Sequence, residues 1–136
     1  MARLSVIGAG YLGVTHAVCM AHLGHEVIVI DNNADRIAQL TAGQVPFHEP
    51  HLAELLAETI ASGSISFTND WAIVAQNADV HFLCVGTPQQ ASSYAADMSQ
   101  VFSAVDSLCT HLNGPATVVG KSTLPVGTAS TIATKL

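Results

Sequence analysis

Gly8-Ala-Gly10-Tyr-Leu-Gly13 constrains this chain more than any other stretch. The three glycines fit G-x-G-x-x-G. They follow Leu4–Ile7, an apolar run that reads as a first strand, and they open a helix expected over Tyr11–Leu23. A second strand, Glu26–Ile30, runs into Asp31, near the roughly 20-residue spacing that puts an acidic residue beside such a turn. A glycine triplet alone is weak. Strand, glycine turn, helix, strand and acid in that order make a dinucleotide-binding fingerprint. Gly8 permits the tight turn, Gly10 lets a ligand approach the backbone, and Gly13 lets the helix pack against the strand. The first helical N–H groups lack internal partners, and the helix dipole adds partial positive charge there, so an anionic pyrophosphate is the natural occupant.

The acid narrows the ligand further. Asp31 would accept hydrogen bonds from the adenosine ribose hydroxyls and would repel a 2′-phosphate. The neighbouring Asn32 and Asn33 bring no cation. NAD is therefore expected over NADP. Arg36, one turn into the next helix, stands where it would stack near the adenine or meet a phosphate.

Strand and helix patterns alternate through the rest of the chain. A second helix is read over Asn33–Thr41, and a third starts at Pro50, which suits a first turn, and runs through Ala61 with Leu52, Leu55, Leu56 and Ile60 on one face. Ser64–Thr68 reads as strand three. Asp70 reads as the N-cap of a helix to about Gln76, followed by strand four at Asp79–Val85. Asp97–Leu112 is the clearest amphipathic helix, and Ala116–Gly120 is strand five. A last helix begins near Val126 and is still running at Leu136. The alternation predicts one α/β domain over residues 1–136, a Rossmann-type doubly wound parallel sheet in the order 3-2-1-4-5. Ligands of such sheets bind beyond the carboxyl ends of the strands, where strands one and four part. Three segments meet there: Gly8–Gly13, Val85–Pro88 and Lys121–Thr123.

Bulk properties exclude other partners. Four basic against ten acidic residues give a formal charge of −6, with no basic patch for nucleic acid or an anionic membrane. Only 10% of residues are charged, against about 25% in a typical soluble domain. Such a chain buries much of itself or exposes apolar surface to a partner. No apolar run approaches the ~20 residues of a membrane span. Cys19, Cys84 and Cys109 are odd in number and lack C-x-x-C spacing, which points to reduced thiols and a cytoplasmic setting.

Two further segments are more specific than the fingerprint. Cys84-Val-Gly-Thr-Pro88 closes strand four, and Gly120-Lys-Ser-Thr-Leu-Pro-Val-Gly127 closes strand five. With Gly8–Gly13, Asp31 and Pro46-Phe-His-Glu-Pro-His-Leu52, the chain resembles the N-terminal domain of the UDP-glucose/GDP-mannose 6-dehydrogenase family, from Leu4 to about Thr128. The family's counterparts are V-P/G-T-P, K-S-T-V-P-V-G-T and Y-E-P-G-L. The resemblance implies oxidation of a nucleotide-sugar C6 hydroxyl to a carboxylate with two NAD+ per turnover. It implies a cofactor set of Gly8, Gly10, Tyr11, Leu12, Gly13, Asp31, Arg36, Val85, Thr87, Pro88, Ser122 and Thr123. Thr87 and Thr123 fall towards the nicotinamide, and Glu49 lies on a substrate-side loop. His48 and His51 depart from that loop's family pattern.

The family's catalytic cysteine, lysine and asparagine, and a glutamate on the next strand, all fall beyond Leu136. The chain is therefore expected to lack catalytic residues of its own, with Thr123 as the one candidate for support, and to need a central helix and a second domain. A nucleotide sugar is a partner only with those parts, and self-association or a partner chain is expected. Two alternatives stay open: a non-catalytic NAD-binding module, and a domain of another Rossmann dehydrogenase. Cys84 in an apolar strand reads as core rather than nucleophile, and His48 and His51, flanking Pro50, do not make a metal site.

Overall fold

The computed structural model describes Met1–Leu136. Five strands alternate with six helices: β1 (Arg3–Ile7), α1 (Tyr11–His22), β2 (Glu26–Ile30), α2 (Ala34–Thr41), α3 (Leu52–Ala61), β3 (Ile65–Thr68), α4 (Trp71–Asn77), β4 (Val80–Leu83), α5 (Ser99–His111), β5 (Thr117–Gly120) and α6 (Thr128–Ala133). The sheet order is β3-β2-β1-β4-β5, and every pair is parallel. Ile7 lies opposite Ile30 on one side and Leu83 on the other, so β1, β2 and β4 end level. That shared edge is where the strands part to either side.

Period-two alternation along the strands feeds two cores. Leu4, Val6, Val27, Val29 and Ile65 pack under Val14, Ala17, Val18 and Ala21 of α1 and under Leu40, Leu52 and Leu56 of α2 and α3. Ile7, Ile30 and Leu83 face the other way, towards Val74, Val101, Val105, Leu108 and Ile132 of α4, α5 and α6. Continuous β-branched strands suit a sheet covered on both faces. One polar pair interrupts the second core: Ser5 and His81, opposite each other on β1 and β4, are fully buried with Oγ and Nδ1 2.7 Å apart.

Several expected boundaries move. The third helix begins at Leu52, not Pro50, because His51 takes a left-handed backbone (φ 66°) and turns the chain first. The long amphipathic helix begins at Ser99 rather than Asp97: the Asp97 carboxylate accepts the Ser99 N–H at 2.9 Å, while its own N–H donates to the Pro88 carbonyl at 2.7 Å. β4 stops at Leu83 rather than Val85, since its neighbour β1 has already turned away at Gly8. The last helix starts at Thr128, two residues after Val126, because Gly127 is left-handed (φ 89°), and it ends at Ala133 instead of running through Leu136. Asp70 caps α4 as expected, its side chain accepting the Ala72 N–H at 2.8 Å.

Candidate cofactor site

The glycine turn is built by close approach. The Gly8 N–H donates to the Ile30 carbonyl at 2.8 Å, which ties the turn to the end of β2. Gly8 has φ 107°, and a Cβ there would stand 2.8 Å from the Cys84 carbonyl oxygen. A Cβ at Gly13 would stand 1.8 Å from the Gly8 carbonyl oxygen, so α1 rests directly on the turn. At Gly10 a Cβ would meet nothing within 4 Å, because that position opens into a cleft. Gly10 caps α1 without a side-chain hydrogen bond, and no acidic residue sits in the first turn. The earliest helical N–H groups of α1 are thus left for an outside acceptor.

Asp31 closes the other side. One carboxylate oxygen accepts the Ala9 N–H at 2.7 Å and the other accepts the Asn33 N–H at 2.8 Å. The Arg36 guanidinium stands 3.6 Å away. An ionised carboxylate has roughly four acceptor positions. The two backbone bonds use half of them, and the remainder suit a pair of vicinal hydroxyls. The cleft between turn and acid holds about 900 Å³. Its near wall is Gly8, Gly10, Asp31, Asn33 and Arg36. Its far wall is Val85 and Gly86 with Ser99, Gln100 and Ser103 of α5.

The remaining expected residues fall outside this cleft. Tyr11 turns its hydroxyl to the Glu49 carboxylate and its ring to Phe47, with centroids 5.0 Å apart, so Glu49 is pinned to the start of α1. Leu12 is exposed, and Gly13 lies beneath the turn. Thr87 donates to the Thr123 carbonyl at 3.0 Å, which joins the β4 and β5 loops. Ser122 donates to the Leu83 and Val85 carbonyls at 3.2 and 2.7 Å, so its hydroxyl is spent on backbone. Pro88 anchors α5 through its carbonyl. Cys84 does border the cleft, but it is buried, and that burial pushes its thiol up to about 11, away from nucleophilic use. The sequence reading missed Trp71, Ser99, Gln100 and Ser103 on the cleft wall. Their signals are topological: the helix after β4 must cross the mouth of the cleft and brings Ser99, Gln100 and Ser103, and Trp71 opens the helix that follows β3.

A parallel sheet that parts at β1 and β4, a glycine turn under a helix N-terminus, and an acid at the end of β2 define a dinucleotide-binding domain of the Rossmann type. Comparison with known proteins carries this further. The model of the UDP-glucose/GDP-mannose dehydrogenase family, NAD binding domain, matches residues 2–136. The chain belongs to this family, as its NAD-binding domain, and NAD is its cofactor. It is 40% identical over 130 residues to a UDP-glucose 6-dehydrogenase of Rhizobium meliloti (strain 1021), covering 96% of this chain and 30% of that one. A crystal structure of a ternary complex of GDP-mannose dehydrogenase from Pseudomonas aeruginosa superposes with a TM-score of 0.91 at 32% identity, over 96% of this chain and 30% of that one. A UDP-glucose dehydrogenase from Pyrobaculum islandicum gives 0.90 at 36% identity, over 99% and 33%. The chain thus spans about 30% of the length of such relatives. No helix here is long and apolar enough to cross a membrane.

Proposed function

We propose that this domain supplies the cofactor half of a nucleotide-sugar 6-dehydrogenase, which oxidises a sugar C6 hydroxyl to a carboxylate when the domain is joined to the rest of such an enzyme. The supporting observation is the cleft itself. Open Gly10 and the unpartnered N–H groups of α1 face Asp31, whose carboxylate is already fixed by two backbone bonds. Bound NAD supplies the hydride acceptor. This chain's part is to bind and orient it. The α1 N-terminus holds the pyrophosphate, Asp31 holds the adenosine ribose, and the Thr87–Thr123 junction borders the nicotinamide end. Glu49, held by Tyr11, lies on the sugar side.

Calorimetric titration with NAD+, NADP+ and UDP-glucose in parallel tests this. NAD+ should bind, NADP+ should bind more weakly, and UDP-glucose should give no heat. No UDP-glucose oxidation should follow from this chain alone. Absence of NAD+ binding at millimolar concentration would overturn the proposal.

A further inference from the structure

Trp71 is the first residue of α4 and follows β3, the strand outside β2. It is half-buried. One side packs against the core of Ile30, Val74 and Val101, and the other lines the cleft. Its place is set by two features. Asp70 caps α4 and fixes the helix start, and the Asp31 N–H reaches the Thr68 carbonyl, which draws the ends of β2 and β3 together. The cleft therefore runs in the order of the strands. The pyrophosphate position lies at β1, the ribose acid lies at β2, and beyond the acid stands an indole.

A dinucleotide laid along that line puts its adenosine base past Asp31. The cleft there offers Arg36 on its rim and the Trp71 ring on its wall. An aromatic ring and a guanidinium on the walls of one cleft both suit a flat heteroaromatic ring. We infer that Trp71 is the surface on which the adenine of the bound cofactor rests, a cofactor-contacting residue that favours the adenosine half of the ligand. This rests on the reading of the cleft as the NAD site.

The chain has one tryptophan, so its emission reports on this position alone. Excitation at the red edge of indole absorption would follow titrations with NAD+, ADP and nicotinamide mononucleotide, each paired with calorimetry. NAD+ and ADP should quench the emission saturably at their calorimetric affinities. Nicotinamide mononucleotide should leave it unchanged. Trp71→Leu should weaken NAD+ and ADP about tenfold, as loss of a base-stacking aromatic does. Trp71→Phe, which keeps a π-face and a core contact, should recover most of that loss. If NAD+ and ADP bind by calorimetry while emission stays constant, or while Trp71→Leu binds them as tightly as the parent, the inference about Trp71 fails and the NAD site stands. If neither nucleotide binds the parent chain, both fail.

Discussion

Gly13 and Gly10 differ by three positions and should fail in opposite ways. A Cβ at Gly13 would lie 1.8 Å from the Gly8 carbonyl oxygen and 3.0 Å from its carbonyl carbon. The first distance is about half the ~3.5–4.0 Å at which non-bonded heavy atoms rest. The opposing atoms are backbone, so no rotamer change relieves the clash. Relief requires α1 to lift off the turn, and α1 carries Val14, Ala17, Val18 and Ala21 into the first core. Overpacking at yielding sites costs about 1–3 kcal/mol. Gly13→Ala should reach or exceed the top of that range, about 3 kcal/mol, and lower the melting temperature by about 10 °C in a domain of this size. Gly10 has an ordinary backbone (φ −78°, ψ −170°) and open space around it. Gly10→Ala should cost only about 0.5–1 kcal/mol, the loss expected at an N-cap. Its methyl group enters the cleft, so NAD+ affinity should fall more than tenfold while the fold persists. Urea denaturation and calorimetry on both variants separate the effects. A Gly13→Ala protein with the parent's unfolding midpoint would refute the account of how α1 is seated.

Other expectations follow from single groups. Asp31→Asn exchanges two charge-assisted bonds for weaker ones and sets an amide N–H against a backbone donor; NAD+ affinity should fall about tenfold in calorimetry, and stability by about 1–3 kcal/mol in urea denaturation. Burial holds the His81 imidazole below its ordinary value of 6.5, and His16 shifts the same way. The unfolded chain therefore binds more protons, so stability is present above pH 6.5 and is lost as pH falls below it. Melting curves from pH 7.5 to 5 should show this decline, and His81→Gln should flatten it. Iodoacetamide should alkylate exposed Cys19 well before buried Cys84, as peptide mass spectrometry would record; equal rates would contradict the placement of Cys84. Leu12 and Leu23 are exposed on or beside α1, so light scattering should show association as concentration rises, reduced by Leu23→Lys.

Much of the fold was legible because its signals are local. A buried apolar run marks β1, a β-branched run marks β2, and Asp70 marks the start of α4 through its own side-chain bond. Helix starts set by left-handed residues were less so. Gly127 at least announces such a turn, whereas a histidine at φ 66° does not, and Pro50 pointed to an earlier start. The site divides in the same way. The glycine turn and Asp31 are encoded by spacing along one βαβ unit. The α5 wall is not, because Ser99, Gln100 and Ser103 form a polar helix face that reads the same against solvent as against a ligand. Ser122 shows the converse limit: whether a hydroxyl is free for a ligand depends on which distant carbonyls the fold brings beside it, here those of Leu83 and Val85.

The two backbone bonds that hold the Asp31 carboxylate have a kinetic consequence. The side chain gives up its rotational freedom when the sheet forms, not when the nucleotide arrives. Encounter then meets a fixed acceptor, with no slow isomerisation of this residue in the path. The observed rate constant for cofactor capture should rise linearly with cofactor concentration in stopped flow. Release should set the differences in affinity among adenine nucleotides that share this ribose contact.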